Sequence, residues 1–152
     1  MTQEEKDLLY QDLYARQYYD VKVSLGLNRM SNYIEPEVEN HLTLYYINPQ
    51  RLECVFKECW WTAYIGAIRP YLRPLSSMTE EEKNEISKKL NYEFYVDDEG
   101  ALCAEDDRYR VRVDLIETYI EWLNERHFDY RGLIEKGLAL EAPENMYNTK
   151  TK

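Results

Sequence analysis

Glycine is scarce in this chain, with five residues in 152, at positions 26, 66, 100, 132 and 137. Their spacing forms neither G-x-G-x-x-G nor a Walker loop, which excludes a phosphate cradle of either kind. A G-x-S-x-G elbow is also missing, so the chain lacks the exposed nucleophilic serine of an α/β-hydrolase. Ser76 and Ser77 stand before a helix start, where serine caps rather than attacks. Cysteine is limited to Cys54, Cys59 and Cys103. An odd number of thiols gives no disulfide framework and fits reduced cysteines. Cys54 and Cys59 differ by an odd number of positions, so a regular strand points them to opposite faces. Together with only two histidines they make no zinc set, and neither a metal nor a cofactor is expected.

Long hydrophobic runs are absent too, and nothing approaches the ~20 apolar residues of a membrane span. The opening MTQEEKDLLYQDLY is acidic and amphipathic, unlike a basic, then apolar, secretory signal. A cytoplasmic location with no membrane partner is the expectation. Basic residues are outnumbered, 19 against 29 acids, for a formal charge of −10. The run DDEGALCAEDD (97–107) carries Asp97, Asp98, Glu99, Glu105, Asp106 and Asp107 and no base, and EPEVE (35–39) adds further acids. Such a surface repels phosphates at long range, which disfavours direct nucleic-acid binding. DDEG is not an EF-hand: with Gly100 sixth, Tyr95 falls first and Asp106 last, where a carboxylate and a bidentate glutamate belong.

Tyrosine is what the chain has in excess, with 15 copies beside three Phe and three Trp. It offers rigid apolar area with a polar tip, which suits both strands and binding surfaces. Apolar residues reach 44%, enough for a real core at this length and too many for disorder.

Thr2 with Glu5 is a capping box and predicts a helix to about Arg16, docked through Leu9 and Leu13, with Tyr10, Tyr14 and Tyr18 widening its face. VKVSLG (21–26) reads as a strand. HLTLYYI (41–47) and LECVFKE (52–58) alternate around an Asn48-Pro49-Gln50 turn and predict a hairpin. In that alternation Tyr46 shares a face with Leu42 and Leu44. WWTAYIGAI (60–68) predicts one more strand with a bend at Gly66. Pro70 and Pro74 are expected to break regular structure.

Thr79 with Glu82 caps a solvated helix whose stripe is Ile86 and Leu90, with Glu85 facing Lys89. Residues 92–105 suggest a second hairpin, and YRVRV (109–113) alternates like a strand. Ile116, Tyr119, Ile120, Leu123 and His127 have helical spacing, which predicts a buried helix begun by Asp114 and Glu117. The fold class is therefore α+β: one domain over 1–147 with a flexible tail at 148–152. A small antiparallel sheet of hairpins is expected with an N-terminal helix, a surface helix and a buried C-terminal helix.

His127 is the best candidate for general acid–base work, next to Asp129, Tyr130 and Arg131. Neighbours just past a helix end point in different directions, however. A histidine bonding the last carbonyls of its helix is the better reading.

Three blocks resemble a group of small proteins from gut Bacteroides-type bacteria and their phages or prophages: MTQEEKDLLYQDLYAR (1–16), PYLRPLSSMTEEE (70–82) and WLNERHFDYRGLIEKGLALEAPENMY (122–147). The middle strands, 20–68, do not share it. The resemblance carries over no catalytic residue. It implies a phage or mobile-element setting, where small accessory proteins are common.

The leading expectation is a non-enzymatic protein that binds another protein. The candidate surface is Arg69, Tyr71 and Arg73, displayed on the proline-stiffened IRPYLRP (68–74), together with Tyr45, Trp60 and Trp61. The first alternative is an acidic mimic of nucleic acid, built on the run at 97–107, that inhibits a host defence or replication protein. The second is a small enzyme of unrecognised type using His127 or a carboxylate. An edge strand within 41–58 would support a homodimer by strand pairing.

Overall fold

The computed structural model describes residues 1–25, 42–51, 53–57, 62–91, 94–99, 101–104 and 113–147. Helix α1 (Gln3–Arg16) opens with the anticipated capping box: Glu5 N–H donates to Thr2 Oγ1 at 3.2 Å, and Thr2 N–H donates to the Glu5 carboxylate at 2.7 Å. Leu9 and Leu13 are fully buried against the sheet. Each contributes about 1.5–3 kcal/mol by leaving water. The tyrosines do not widen that face, because Tyr14 and Tyr18 are exposed and only Tyr10 reaches the core.

Among the described residues eight strands follow: β1 (Lys22–Leu25), β2 (Leu42–Asn48), β3 (Glu53–Phe56), β4 (Thr62–Tyr64), β5 (Ile68–Leu72), β6 (Phe94–Val96), β7 (Leu102–Ala104) and β8 (Leu140–Glu141). Six of them form one sheet in the order β4-β3-β2-β1-β5-β8, antiparallel except for β5–β8, and β6–β7 is a separate hairpin. Asn48 Oδ1 accepts from Gln50 and Arg51 N–H and fixes the β2–β3 turn. Among the described residues the edges of this sheet are β4 and β8, so β2 and β3 lie inside it and offer no edge for the strand-pairing dimer expected within 41–58.

Pro70 does not interrupt regular structure; it sits inside β5, opposite Val23 of β1. Successive residues of a strand direct their backbone groups to alternate edges. Tyr71 faces β1 and Leu72 faces β8, so the Pro70 nitrogen also points away from β1, where its missing hydrogen costs no bond to that neighbour. The stretch expected as one strand over 60–68 is divided: β4 ends at Tyr64, and a short 3-10 turn over Ile65–Ala67 leads into β5.

Helix α2 (Glu80–Lys89) carries the second capping box and buries Ile86, with Leu90 just beyond its end. Glu85 is not paired with Lys89. Its carboxylate takes both an Arg126 guanidinium and the indole N–H of Trp122. Helix α3 (Val113–Glu125) begins at Val113, a residue expected to end a strand. The rest of that predicted strand, 109–112, lies outside the described residues, as does the tail at 148–152. The buried face of α3 is Leu115, Tyr119, Trp122 and Leu123, whereas Ile116 is exposed.

Two apolar clusters result. One joins α1 to the inner face of the large sheet; the other joins α2, α3 and the β6–β7 hairpin. Phe128 belongs to the second cluster and Leu133 to the first, so the chain after α3 crosses between them.

Candidate functional site

Among the described residues that crossing carries two buried polar side chains, His127 and Asp129, and the buried Arg16 is bonded to it. Phe128 N–H reaches Leu123 C=O at 2.9 Å and His127 N–H reaches Asn124 C=O at 3.1 Å, a Schellman ending for α3. His127 takes the left-handed position, with φ of 60°. Asp129 then caps a single helical turn, its two oxygens accepting Leu133 and Ile134 N–H at 2.8 Å each. Gly137, with φ of 67°, closes the same turn through Gly137 N–H to Ile134 C=O and Leu138 N–H to Leu133 C=O. The segment HFDYRGLIEKG is thus two helix endings around one capped turn.

The closing segment wraps β5. Arg73 and Phe128 form a parallel bridge, with Arg73 N–H on His127 C=O and Asp129 N–H on Arg73 C=O, both at 2.8 Å. The Arg73 guanidinium lies 4.2 Å from the Phe128 ring centre and holds Glu82 bidentately at 2.7 and 2.8 Å. Burial alone would raise the Glu82 carboxyl, but Arg73, the Thr79 N–H and Arg126 outweigh it and hold it below the ordinary range. On the other edge, the Tyr147 hydroxyl accepts from Lys22 N–H and donates to Tyr71 C=O, each at 2.8 Å. Those two residues would be the next pair of the β1–β5 ladder after Val23 and Pro70. A phenol therefore stands in for a missing ladder bond.

Arg16 bolts α1 to the same crossing. Fully buried, it holds the equally buried Asp12 at 2.8 and 3.0 Å and donates to the carbonyls of Leu123, Asn124 and Phe128. Arg131 approaches the same Asp12 carboxylate at 3.5 Å. Three segments distant in sequence meet here: 1–16 through Arg16, 70–82 through Arg73 and Glu82, and 122–147 through the closing segment.

The site residues expected from sequence are distributed differently. Tyr71 is only 9% exposed, and Arg73 is spent on Glu82 and Phe128, so neither is displayed. The reason is that 68–72 is an interior strand and not a stiffened loop. Arg69 is half-buried and donates to the carbonyls of Gly66 and Ile68. Trp60 and Trp61 lie outside the described residues, as do Glu105, Asp106 and Asp107. Asp97 accepts the N–H groups of Glu99 and Ala101 and so builds its own turn, and Asp98 pairs with Lys83 at 2.7 Å. Glu99 is exposed.

Tyr45 is exposed, and it has company that the alternation of the sequence does not predict. The β2–β3 register slips between Leu44 and Tyr46, leaving Tyr45 as the extra residue of a bulge. Leu42, Leu44 and Ile47 all turn inward, while Tyr45 and Tyr46 turn outward together, at 54% and 47% exposure. Tyr46 lies opposite Val55, which lies opposite Thr62; Glu53 is the partner of both Asn48 and Tyr64. Tyr64 is 56% exposed. The face opposite the core thus carries Tyr46, Val55 and Thr62 in one row and Asn48, Glu53 and Tyr64 in the next. The signal in the sequence was the parity of LTLYYI: Leu44 and Ile47 share a face only if a residue is inserted between them.

Chemistry at the two described thiols and the His127 imidazole is muted, and Cys59 lies outside the described residues. Burial pushes the Cys54 thiol up to about 12, and burial followed by the Asp97 carboxylate raises Cys103. His127 is held down to about 3 by burial and then by the charges of Arg16 and Arg73, against the pull of Asp20 and a hydrogen bond to the Tyr19 backbone. It is neutral near pH 7, and its ring lies against Tyr147 and not in a cleft beside a nucleophile. Among the described residues no three His, Cys, Asp or Glu side chains are placed to share a metal ion. No described helix is long and apolar enough to cross a membrane. Comparison with protein-family models, curated proteins and solved structures returned no match.

Proposed function

We propose that the protein is a non-enzymatic accessory protein that binds another protein through the outer face of β2–β4, in the phage or mobile-element setting implied by the sequence resemblance. The observation that carries this reading is the bulge that turns Tyr45 and Tyr46 outward together, with Tyr64 two strands away on the same face. Tyrosines held on a rigid sheet lose little entropy when a partner covers them, which is why such surfaces favour binding. The titratable groups of the crossing, by contrast, are engaged in closing the interior. The acidic-mimic reading draws less support, because Asp97 and Asp98 already serve a turn and an ion pair.

The test is comparative capture from a bacterial host lysate. The wild-type chain should retain a protein that the Tyr45→Ser/Tyr46→Ser/Tyr64→Ser variant loses and a Tyr95→Ser control keeps. Equal retention by all three proteins would refute the assignment to this face.

A further inference from the structure

The arm that follows β8 is anchored as a bound ligand would be. Ala142 N–H donates to Leu72 C=O at 2.8 Å and, among the described residues, makes the last main-chain bond to the sheet. Beyond it Pro143, Glu144 and Asn145 are exposed, and Asn145 takes the left-handed conformation, with φ of 65°. Met146 N–H turns back on Pro143 C=O, a bond within the arm. Among the described residues, the hydrogen bonds and ring contacts that tie 143–147 to the rest of the chain all come from Tyr147. Its ring lies on His127, and its hydroxyl bridges Lys22 and Tyr71. Exposed backbone, a left-handed asparagine and a single anchoring side chain are the marks of a segment that opens locally while the fold stays intact.

The notch that Tyr147 fills is chemically selective. Lys22 N–H donates to its oxygen and Tyr71 C=O accepts from it. A single atom that both accepts and donates satisfies the two groups, and a hydroxyl is such an atom. The buried His127 imidazole supplies a flat wall for the ring that carries it. An aliphatic alcohol lacks that ring, and a phenyl group lacks the hydroxyl. A phosphorylated tyrosine would set acceptor oxygens against the Tyr71 carbonyl. We propose that the notch formed by His127, Lys22 and Tyr71 is a binding site for a 4-hydroxyphenyl group, and that the arm 143–147 is its built-in competitor. When the arm swings out beyond Ala142, the notch takes the tyrosine side chain of another polypeptide, or a small phenol, in place of Tyr147. The open fraction of the arm then sets the apparent affinity, so loosening the arm tightens binding without touching the notch. The site shares no residue with the outer face of β2–β4 and stands independently of it.

The test is a titration of the full chain with N-acetyltyrosinamide and with p-cresol, followed at the amide signals of Lys22, Tyr71 and His127. Tyr147→Ala should bind both probes. It should bind them about tenfold or more tighter than N-acetylphenylalaninamide and toluene, whose missing hydroxyl leaves the two main-chain groups unbridged. The wild-type chain should respond at the same signals but bind about tenfold or more weakly, because its tethered phenol competes. Pro143→Gly keeps Tyr147 but makes the open arm more flexible, so its affinity should fall between the two. This variant carries the test if Tyr147→Ala does not fold. Binding of N-acetyltyrosinamide alone assigns the site to a polypeptide and binding of p-cresol alone to a small phenol, and either outcome supports the site. Equal affinity for the tyrosine and phenylalanine amides, equal affinity of wild type and Pro143→Gly, or no response at the three amides in any of the proteins would overturn it.

Discussion

The ring of His127 lies against the ring of Tyr147, with 3.8 Å between centroids and 25° between planes. The two residues are twenty positions apart, and each does a second job at the end of β5. The main chain of His127 accepts from Arg73, and the phenol of Tyr147 bridges Lys22 and Tyr71. The stack therefore joins the ending of α3 to the seam between β1 and β5.

Acid should find this contact first. The folded His127 titrates at about 3, below its ordinary 6.5, so the native state binds its proton later than the unfolded chain does. Stability is fully present above pH 6.5 and is lost as pH falls from there toward 3, by about 1.4 kcal/mol per pH unit at most. Glu82, also depressed, adds a loss in the same direction below its ordinary 4.5. Urea denaturation at a series of pH values should show this slope, and His127→Asn, which tolerates the left-handed backbone, should flatten it between pH 6 and 4. An unchanged slope in that variant would assign the titration elsewhere.

Tyr147→Phe keeps the ring on His127 but removes the hydroxyl. Lys22 N–H and Tyr71 C=O then face each other across a gap sized for an oxygen. The expected cost is about 1–3 kcal/mol, read as a lower denaturation midpoint with unchanged m-value. Faster hydrogen exchange at Lys22 than at residues of β2 would locate the loss in the seam. Equal protection of both would show that the hydroxyl carries no such bond.

The tyrosines of the outer sheet face should behave oppositely to Tyr71. Tyr46→Ser and Tyr64→Ser each change stability by no more than about 0.5 kcal/mol, as surface substitutions do, whereas Tyr71→Ser costs several kcal/mol through the cavity it leaves. Thermal melts of the three variants decide it. A strongly destabilised Tyr46→Ser protein would mean that this face is covered and unfit for a partner.

How much of this could be read beforehand follows from range. Thr2 with Glu5 and Thr79 with Glu82 set both caps within four residues, so the helix starts were legible. The α+β class was legible from the alternating and helical patterns for the same reason. The bulge at Tyr45 was encoded only as a mismatch of parity, and regular alternation put Tyr46 on the wrong face. The fate of IRPYLRP was not legible locally. Pro70 is harmless only because its nitrogen points away from β1, and Arg73 is hidden only because Phe128 and Glu82 arrive from elsewhere in the chain. His127 does lie just past the end of its helix, but its ring stacks on Tyr147 and does not bond the last carbonyls, two of which take Arg16 instead. Its stack on Tyr147, and the Arg16 bolt, depend on contacts across 20 or more than 100 positions, which no local pattern records.

Gly137 offers a test of conformation without packing. A Cβ there meets nothing within 4 Å, yet φ is 67°. Gly137→Ala should therefore cost only the left-handed backbone penalty, about 1 kcal/mol, in a denaturant titration. A loss of several kcal/mol would mean that the turn capped by Asp129 is packed more tightly than its glycine implies.

The Asp12–Arg16 pair tests whether a buried ion pair here is more than a pair. Both side chains are fully buried, so Arg16→Met strands a carboxylate that Arg131 approaches at 3.5 Å, and should cost about 3–5 kcal/mol. For an isolated buried pair, replacing both members by apolar residues of similar size is often neutral or stabilising. Arg16 is not isolated, since it also donates to the Phe128 carbonyl at 2.7 Å and reaches those of Leu123 and Asn124. The Asp12→Leu/Arg16→Met double variant should therefore recover part of the single-variant loss but remain below wild type. A double-mutant cycle by chemical denaturation measures both quantities. Full recovery would reduce Arg16 to a counterion for Asp12 and remove the link it is held to make between α1 and the closing segment.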